Sequence, residues 1–292
     1  MATPGFVAVG HNAVIYVSPD GERWEQVHVG KEGEIYRTVA IGNGVGIAIG
    51  SYGGDNITAI TTNGKDWTVG KKEAGYVRYI RTLIYEGGSF IGYGGDGGSV
   101  GSSRPFEFHS TDGKTWSEFQ DVGGPHMLRR IAAGAGKFVG VGDRGRLSAS
   151  PDGRKDWKDV VGTTAKETLV DVAFGNGIFV GVGLNSLRMR TKDGMTWSDK
   201  QIGEEGEHLT SIVWTGTQFT AIGIGATFFS ADGVAWKRES NKNAPLTATF
   251  GNGVYVGAKW KGRVLLSKDA IDWREVLKSE FHMTAIAFGA IG

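Results

Sequence analysis

The sequence predicts an all-β fold, a seven-bladed β-propeller of four-stranded antiparallel blades, on three observations. A turn motif, Ser/Thr-x-Asp/Asn-Gly-x-x-Trp, occurs seven times, ending at Trp24, Trp67, Trp116, Trp157, Trp197, Trp236 and Trp273. Successive tryptophans lie 43, 49, 41, 40, 39 and 37 residues apart, the length of one propeller blade. Glycine is abundant and proline scarce, 49 against 6 in 292 residues, as in a turn-dense β protein.

Each element follows from a local signal. An apolar strand ending in glycine precedes most motifs, as in FVAVG (6–10), GIAIG (46–50), FIGYG (90–94), FVGVG (138–142 and 179–183) and FTAIG (219–223); the seventh copy is YVGAK (255–259). Before six of these comes a further short strand and a tight turn, often Gly-Asn-Gly, whose residues tolerate the positive φ of a two-residue hairpin. One repeat therefore reads strand a, glycine turn, strand b, loop, strand c, Asp-Gly turn, strand d. The first b strand has no a strand before it, whereas the chain ends with a spare one, MTAIAFGAIG (283–292). The expectation is one propeller domain over 1–292, with blade 1 made from 6–30 plus 283–292 and the ring closed by pairing of the two ends, which removes exposed sheet edges.

The repeated turn resembles the Asp-box, the bacterial neuraminidase-type (BNR) repeat of sialidase-like propellers, and the resemblance covers all seven units. It implies a structural c–d hairpin in which the aspartate caps its own turn and the tryptophan packs between blades. That role passes to Asp20, Asp112, Asp152, Asp193, Asp232 and Asp269. Asn63 replaces the aspartate in the second copy, the fourth has one extra residue, and Ala270 replaces glycine in the seventh. Lectins, glycosidases and assembly factors share such repeats, so the motif speaks for fold and not for function.

A binding surface is expected where the loops are irregular, on the face of the d–a and b–c connections: SYGGDN (51–56), GDGGSVGSSRP (95–105), GDRGR (142–146), LNS (184–186) and KWKGR (259–263). Aligned on their terminal turns, the a strands place Val39, Leu83, Ile131, Val172, Ile212, Ala248 and Ile286 in the core. Two residues earlier stand Arg37, Arg81 and Arg129 in three neighbouring blades, with Arg78 and Arg130 nearby. Guanidinium forks suit a carboxylate, sulfate or phosphate; alternatively they pair with local acids such as Glu34, Asp171 and Glu167. Trp260, between cations and with Arg263 close by, is a second candidate for ligand contact. Trp214 stands where Phe174 stands in its blade and reads as core.

No complete catalytic constellation is visible. A sialidase reading would use the arginines with Tyr36 or Tyr79 and Glu34, but seven blades depart from the six of sialidases and no general acid is assignable. Asp55 and Asp96 lie in glycine loops unlike a calcium loop, and the six histidines show no short-spaced zinc pairing. Cysteine is absent, which excludes disulfides and thiol chemistry. The net charge of +1 offers no global field for nucleic acid. No 18-residue apolar run spans a bilayer, and MATPGFVAVG carries no secretory leader pattern. The expectation is a recognition or scaffold propeller that binds a glycan or a protein without a cofactor, outside the cell or on a virion. A hydrolase or lyase of acidic sugars and an assembly component are the alternatives.

Overall fold

The computed structural model describes residues 2–72, 78–96 and 104–292. It contains seven four-stranded antiparallel sheets, each built as the repeat predicts. The innermost strands are Met283–Ile291, Ile35–Gly42, Arg78–Glu86, Leu128–Gly134, Leu169–Gly175, Leu209–Trp214 and Thr247–Gly251 for blades 1 to 7. These strands follow one another around a central axis, the last neighbouring the first.

The ring closes through the chain ends: Thr3–Gly10 pairs antiparallel with Met283–Ile291, Thr3 opposite Ile291. The strand begins three residues before the expected Phe6, because Thr3-Pro4-Gly5 has weak strand propensity but a waiting partner. Closure is reinforced where the Thr284 hydroxyl donates to the Tyr36 carbonyl of blade 2 at 2.5 Å.

Strand side chains alternate between faces, and here both faces are inter-blade seams. Phe6 and Ala8 pack toward blade 7 with Val256 and Leu266; Val7 and Val9 pack toward blade 2 with Tyr36 and Val39. Seven buried apolar clusters result, one per seam. The a-strand positions read as core are buried in six blades, and Ala248 is half-buried. Trp214 packs on Phe219 at 4.6 Å and covers Gly175, where a Cβ would lie 2.2 Å from the indole.

The repeated turns share one hydrogen-bond scheme. In the first, Asp20 Oδ1 accepts the Glu22 and Arg23 N–H groups at 2.9 Å, Ser18 Oγ accepts the Gly21 N–H at 2.8 Å, and the Trp24 indole donates to the Gly21 carbonyl at 2.9 Å. Asn63 reproduces the two amide contacts through its side-chain oxygen. Amide donors favour the ionised carboxylate and hold Asp193 at a pKa of about 2. The extra residue of the fourth copy puts Asp156 at φ 55° and leaves the buried Trp157 N–H without an acceptor among the described residues.

Candidate functional site: a polarised arginine mouth

One irregularity recurs at the loop-bearing end of the inner strands. In six blades the pairing of strands a and b skips one residue of strand a: Thr284, Arg37, Arg81, Arg129, Val170 and Thr210. Each is the extra residue of a β-bulge, a device that re-aims a side chain. Opposite each bulge stands a glycine of strand b. A Cβ there would lie 1.7–2.3 Å from a carbonyl oxygen of the inner-strand backbone or the residue before it: Gly10 on His282, Gly50 on Ile35, Gly94 on Tyr79, Gly142 on Met127, Gly183 on Thr168 and Gly223 on His208. Blade 7 has Ala258 and Lys259 at this end and no skipped residue.

The mouth is therefore polarised. Blades 2, 3 and 4 contribute Arg37, Arg81 and Arg129, whereas blades 5, 6 and 1 contribute Val170, Thr210 and Thr284. Burial, and after it the guanidinium groups of Arg129, Arg37 and Arg130, push the Arg81 pKa down, with Asp143 opposing; arginine remains charged nonetheless. Arg130 Nη1 donates to the Arg81 carbonyl at 2.9 Å. Arg37 lies over the Tyr79 ring at 5.8 Å and donates weakly to Ser51 Oγ at 3.4 Å.

The acids divide unequally. Asp143 pairs with Arg129, and Asp171 approaches Arg130 at 3.9 Å. Among the described residues, no carboxylate lies within 4 Å of Arg37 or Arg81. Glu34, one of the local acids expected for the arginines, instead accepts the Lys31 N–H at 2.8 Å, and Glu167, another, pairs with Lys200. Asp171 spends its oxygens on the Val172 and Ile212 amides, 2.9 Å each; the second bond bridges to the next blade, as the Thr38 hydroxyl does for Leu83. Burial raises the Asp171 pKa, with Arg130 and the amides opposing.

The residues of a sialidase reading do not assemble. Tyr36 is fully buried with its hydroxyl unpartnered among the described residues, and burial raises its pKa. A substrate cannot reach it. Tyr79 is exposed but lies against Arg37. Asp55 pairs with Lys71 at 2.6 Å, and among the described residues no cluster of three or more His, Cys, Asp or Glu could hold a metal. The side chains of Arg78 and Asp96, and segment 97–103, lie outside the described residues.

Trp260 is 66% exposed at a b–c turn. Its ring stands edge-on to His282 at 6.1 Å, and His282 stands edge-on to His11 at 5.3 Å. His282 Nδ1 accepts the Lys261 N–H at 3.0 Å, the same contact that His208 makes with Asn185. Arg263 is paired with Glu275, and Lys259 Nζ donates to Asn243. No local pattern links His11 and His282; only the closure of blade 1 brings them together.

Exposed large apolar residues concentrate on this face. Of nine among the described residues, seven lie on or beside the d–a and b–c loops: Val29, Tyr52, Tyr79, Val161, Ile202, Ile224 and Trp260. Only Val69 and Met195 lie elsewhere. A cavity of about 580 Å³ lies on the opposite face, between blades 1 and 2 near Trp24, Asn63 and Lys65. There a methyl group on the turn glycine Gly64 would meet nothing within 4 Å, whereas Gly21, Gly113, Gly153, Gly194 and Gly233 all press on the preceding blade. The mouth, where the guanidinium groups of Arg37, Arg129 and Arg130 all act on Arg81, is the chemically distinctive site.

No family model matches the chain, and no curated protein matches it. Solved structures do resemble it. The structure of YCF48 bound to D1 peptide shares 16% identity at a TM-score of 0.65, covering 99% of this chain and 89% of that one. YCF48 from Cyanidioschyzon merolae shares 16% identity at 0.60, covering 86% and 87%. Apo AztD from Citrobacter koseri shares 9% at 0.54, covering 99% of both. At these identities the likeness is one of fold.

Proposed function

We propose that this chain is a non-enzymatic recognition propeller that captures an acidic segment of a partner protein at the arginine mouth. The observation that carries the reading is the pair Arg37 and Arg81, held beside Arg129 and Arg130 without a carboxylate of their own among the described residues. Like charges gathered by the fold repel, and an incoming anion relieves that repulsion. Exposed aromatic side chains on the same face, Tyr52, Tyr79 and Trp260, favour a protein over a glycan, because aromatic residues beside arginine are enriched in protein interfaces. The fold likeness to YCF48, whose structure carries a D1 peptide, agrees with this reading.

The test is calorimetric titration with a synthetic peptide ending Asp-Glu-Asp, its neutral counterpart ending Asn-Gln-Asn with an amidated terminus, and sialyllactose. The acidic peptide should bind, the neutral one should not, and added salt should weaken binding. Arg81→Gln removes a charge-assisted contact of about 1.5–3 kcal/mol, roughly a 10- to 150-fold loss of affinity. Equal binding of both peptides, or no effect of Arg81→Gln, overturns the reading; preference for sialyllactose transfers it to a glycan.

A further inference from the structure

The arginines have an aromatic continuation. Trp260 of blade 7, His282 on the connection to blade 1, and His11 of blade 1 stand ring to ring at 6.1 and 5.3 Å. The row ends beside Arg37, close enough for its charge to act on His11. From Arg37 the path continues over Tyr79 to Arg81 and Arg129. Five consecutive blades thus contribute to one track.

The two ends of the track differ in chemistry for structural reasons. His282 accepts a backbone N–H at Nδ1, a contact that only the unprotonated nitrogen can make. Burial, then the His282 and Arg37 neighbours, lowers the pKa of His11. Trp260 adds an indole face with no charge. This end therefore offers ring surface where the arginine end offers cations. The tight turn behind Trp260, with Lys261 at φ 61° and Gly262 at φ 74°, fixes the exposed ring at the edge of the face. Aromatic anchors of this kind dominate protein interfaces, and none of the three rings is needed to fill a seam.

We propose that the partner segment is an extended peptide whose acidic group sits at Arg37 and Arg81 while an aromatic or large apolar side chain, about four to six residues away, packs on Trp260 and His282. The spacing follows from the two ring separations plus the reach of an arginine side chain, at about 3.3–3.6 Å of extended chain per residue. The inference rests on the acidic-segment reading above and adds the second anchor and its distance. Charge complementarity selects the occupant: a basic residue at the Trp260 end would place its charge beside Lys261 and Lys259.

The test uses two fluorescein-labelled peptides with the same Asp-Glu-Asp end, one with tryptophan five residues before it and one with glycine there, titrated against the whole protein. Fluorescence anisotropy should show tighter binding of the tryptophan peptide. Trp260→Ala, at an exposed position that leaves the fold intact, should weaken the tryptophan peptide about tenfold or more and the glycine peptide less than twofold. Arg81→Gln should weaken both. If both peptides bind equally and Trp260→Ala changes neither, while Arg81→Gln still weakens both, the second anchor is refuted and the acidic reading stands. If neither peptide binds, both fall together.

Discussion

Replacing Gly50 with alanine tests whether the bulges position the arginines. The added methyl would stand 1.7 Å from the Ile35 carbonyl oxygen and 2.7 Å from Tyr36 Cα. A carbon and an oxygen sit comfortably only at about 3.3 Å or more, and no flexible side-chain tip can yield because both neighbours are backbone. The two strands must separate by most of that difference, or the bulge at Arg37 must flatten. Overpacking costs about 1–3 kcal/mol, and loosening a ladder bond beside Tyr36 and Thr38 adds about 1 kcal/mol. The expected loss is about 3 kcal/mol. With 292 residues and about 2.1 cal/mol/K of unfolding entropy per residue, that lowers the melting temperature by about 5 °C. Gly53→Ala is the control: its φ is 58° but nothing lies within 4 Å of the added methyl, so it costs only the left-handed penalty of about 1–2 kcal/mol. Scanning calorimetry on both, followed by acidic-peptide titration of the folded proteins, separates the contributions. Gly50→Ala matching Gly53→Ala in stability, with undiminished binding, would show that the glycine does not hold the bulge.

Deleting residues 283–292 should abolish cooperative unfolding. It strips the inner strand of blade 1, exposes the length of Thr3–Gly10 and opens the seams to blades 2 and 7; a near-native circular dichroism melt would contradict the closure. Glu107, buried on strand c of blade 3, has its pKa raised to about 7, chiefly by burial, with Arg154 opposing. A carboxyl whose folded pKa exceeds its unfolded value of about 4.5 binds more protons when folded, so stability falls as pH rises from about 4.5 to 7. Glu107→Gln should accordingly be about 2–3 kcal/mol more stable than the parent at pH 8 and nearly equal at pH 4, as read by urea denaturation; a constant difference across that range would refute the assignment.

The fold is legible in the sequence because it repeats. A turn that satisfies its own amides through Ser18 and Asp20 needs nothing beyond seven residues, so its seven copies mark the hairpins wherever the blades sit. The alignment of Arg37, Arg81 and Arg129 is legible as well, because counting back from the terminal turn crosses the same bulge in each blade. That counting misses the bulge itself, although the chain carries its trace: the apolar run of strand b meets a glycine in six copies and Lys259 in the seventh, the copy without a skipped residue. A glycine that looks like a strand terminator is the space into which a neighbouring carbonyl fits.

The aromatic track is illegible for a different reason. Trp260 and His282 meet within one blade, through the same Nδ1 contact that His208 makes with Asn185, but His11 joins them only by closure of the ring, and no local pattern relates a residue near one end of the chain to one near the other. The contact of His11 with His282 is created by Gly10 pairing with Met283, the same contact that completes blade 1. Closure therefore joins the aromatic end of the track, Trp260 and His282, to the arginine end through His11, whereas the arginines come from three consecutive blades. A partner needing both ends would therefore read the closed ring, because loss of blade 1 pairing separates His11 and the arginines from Trp260 and His282.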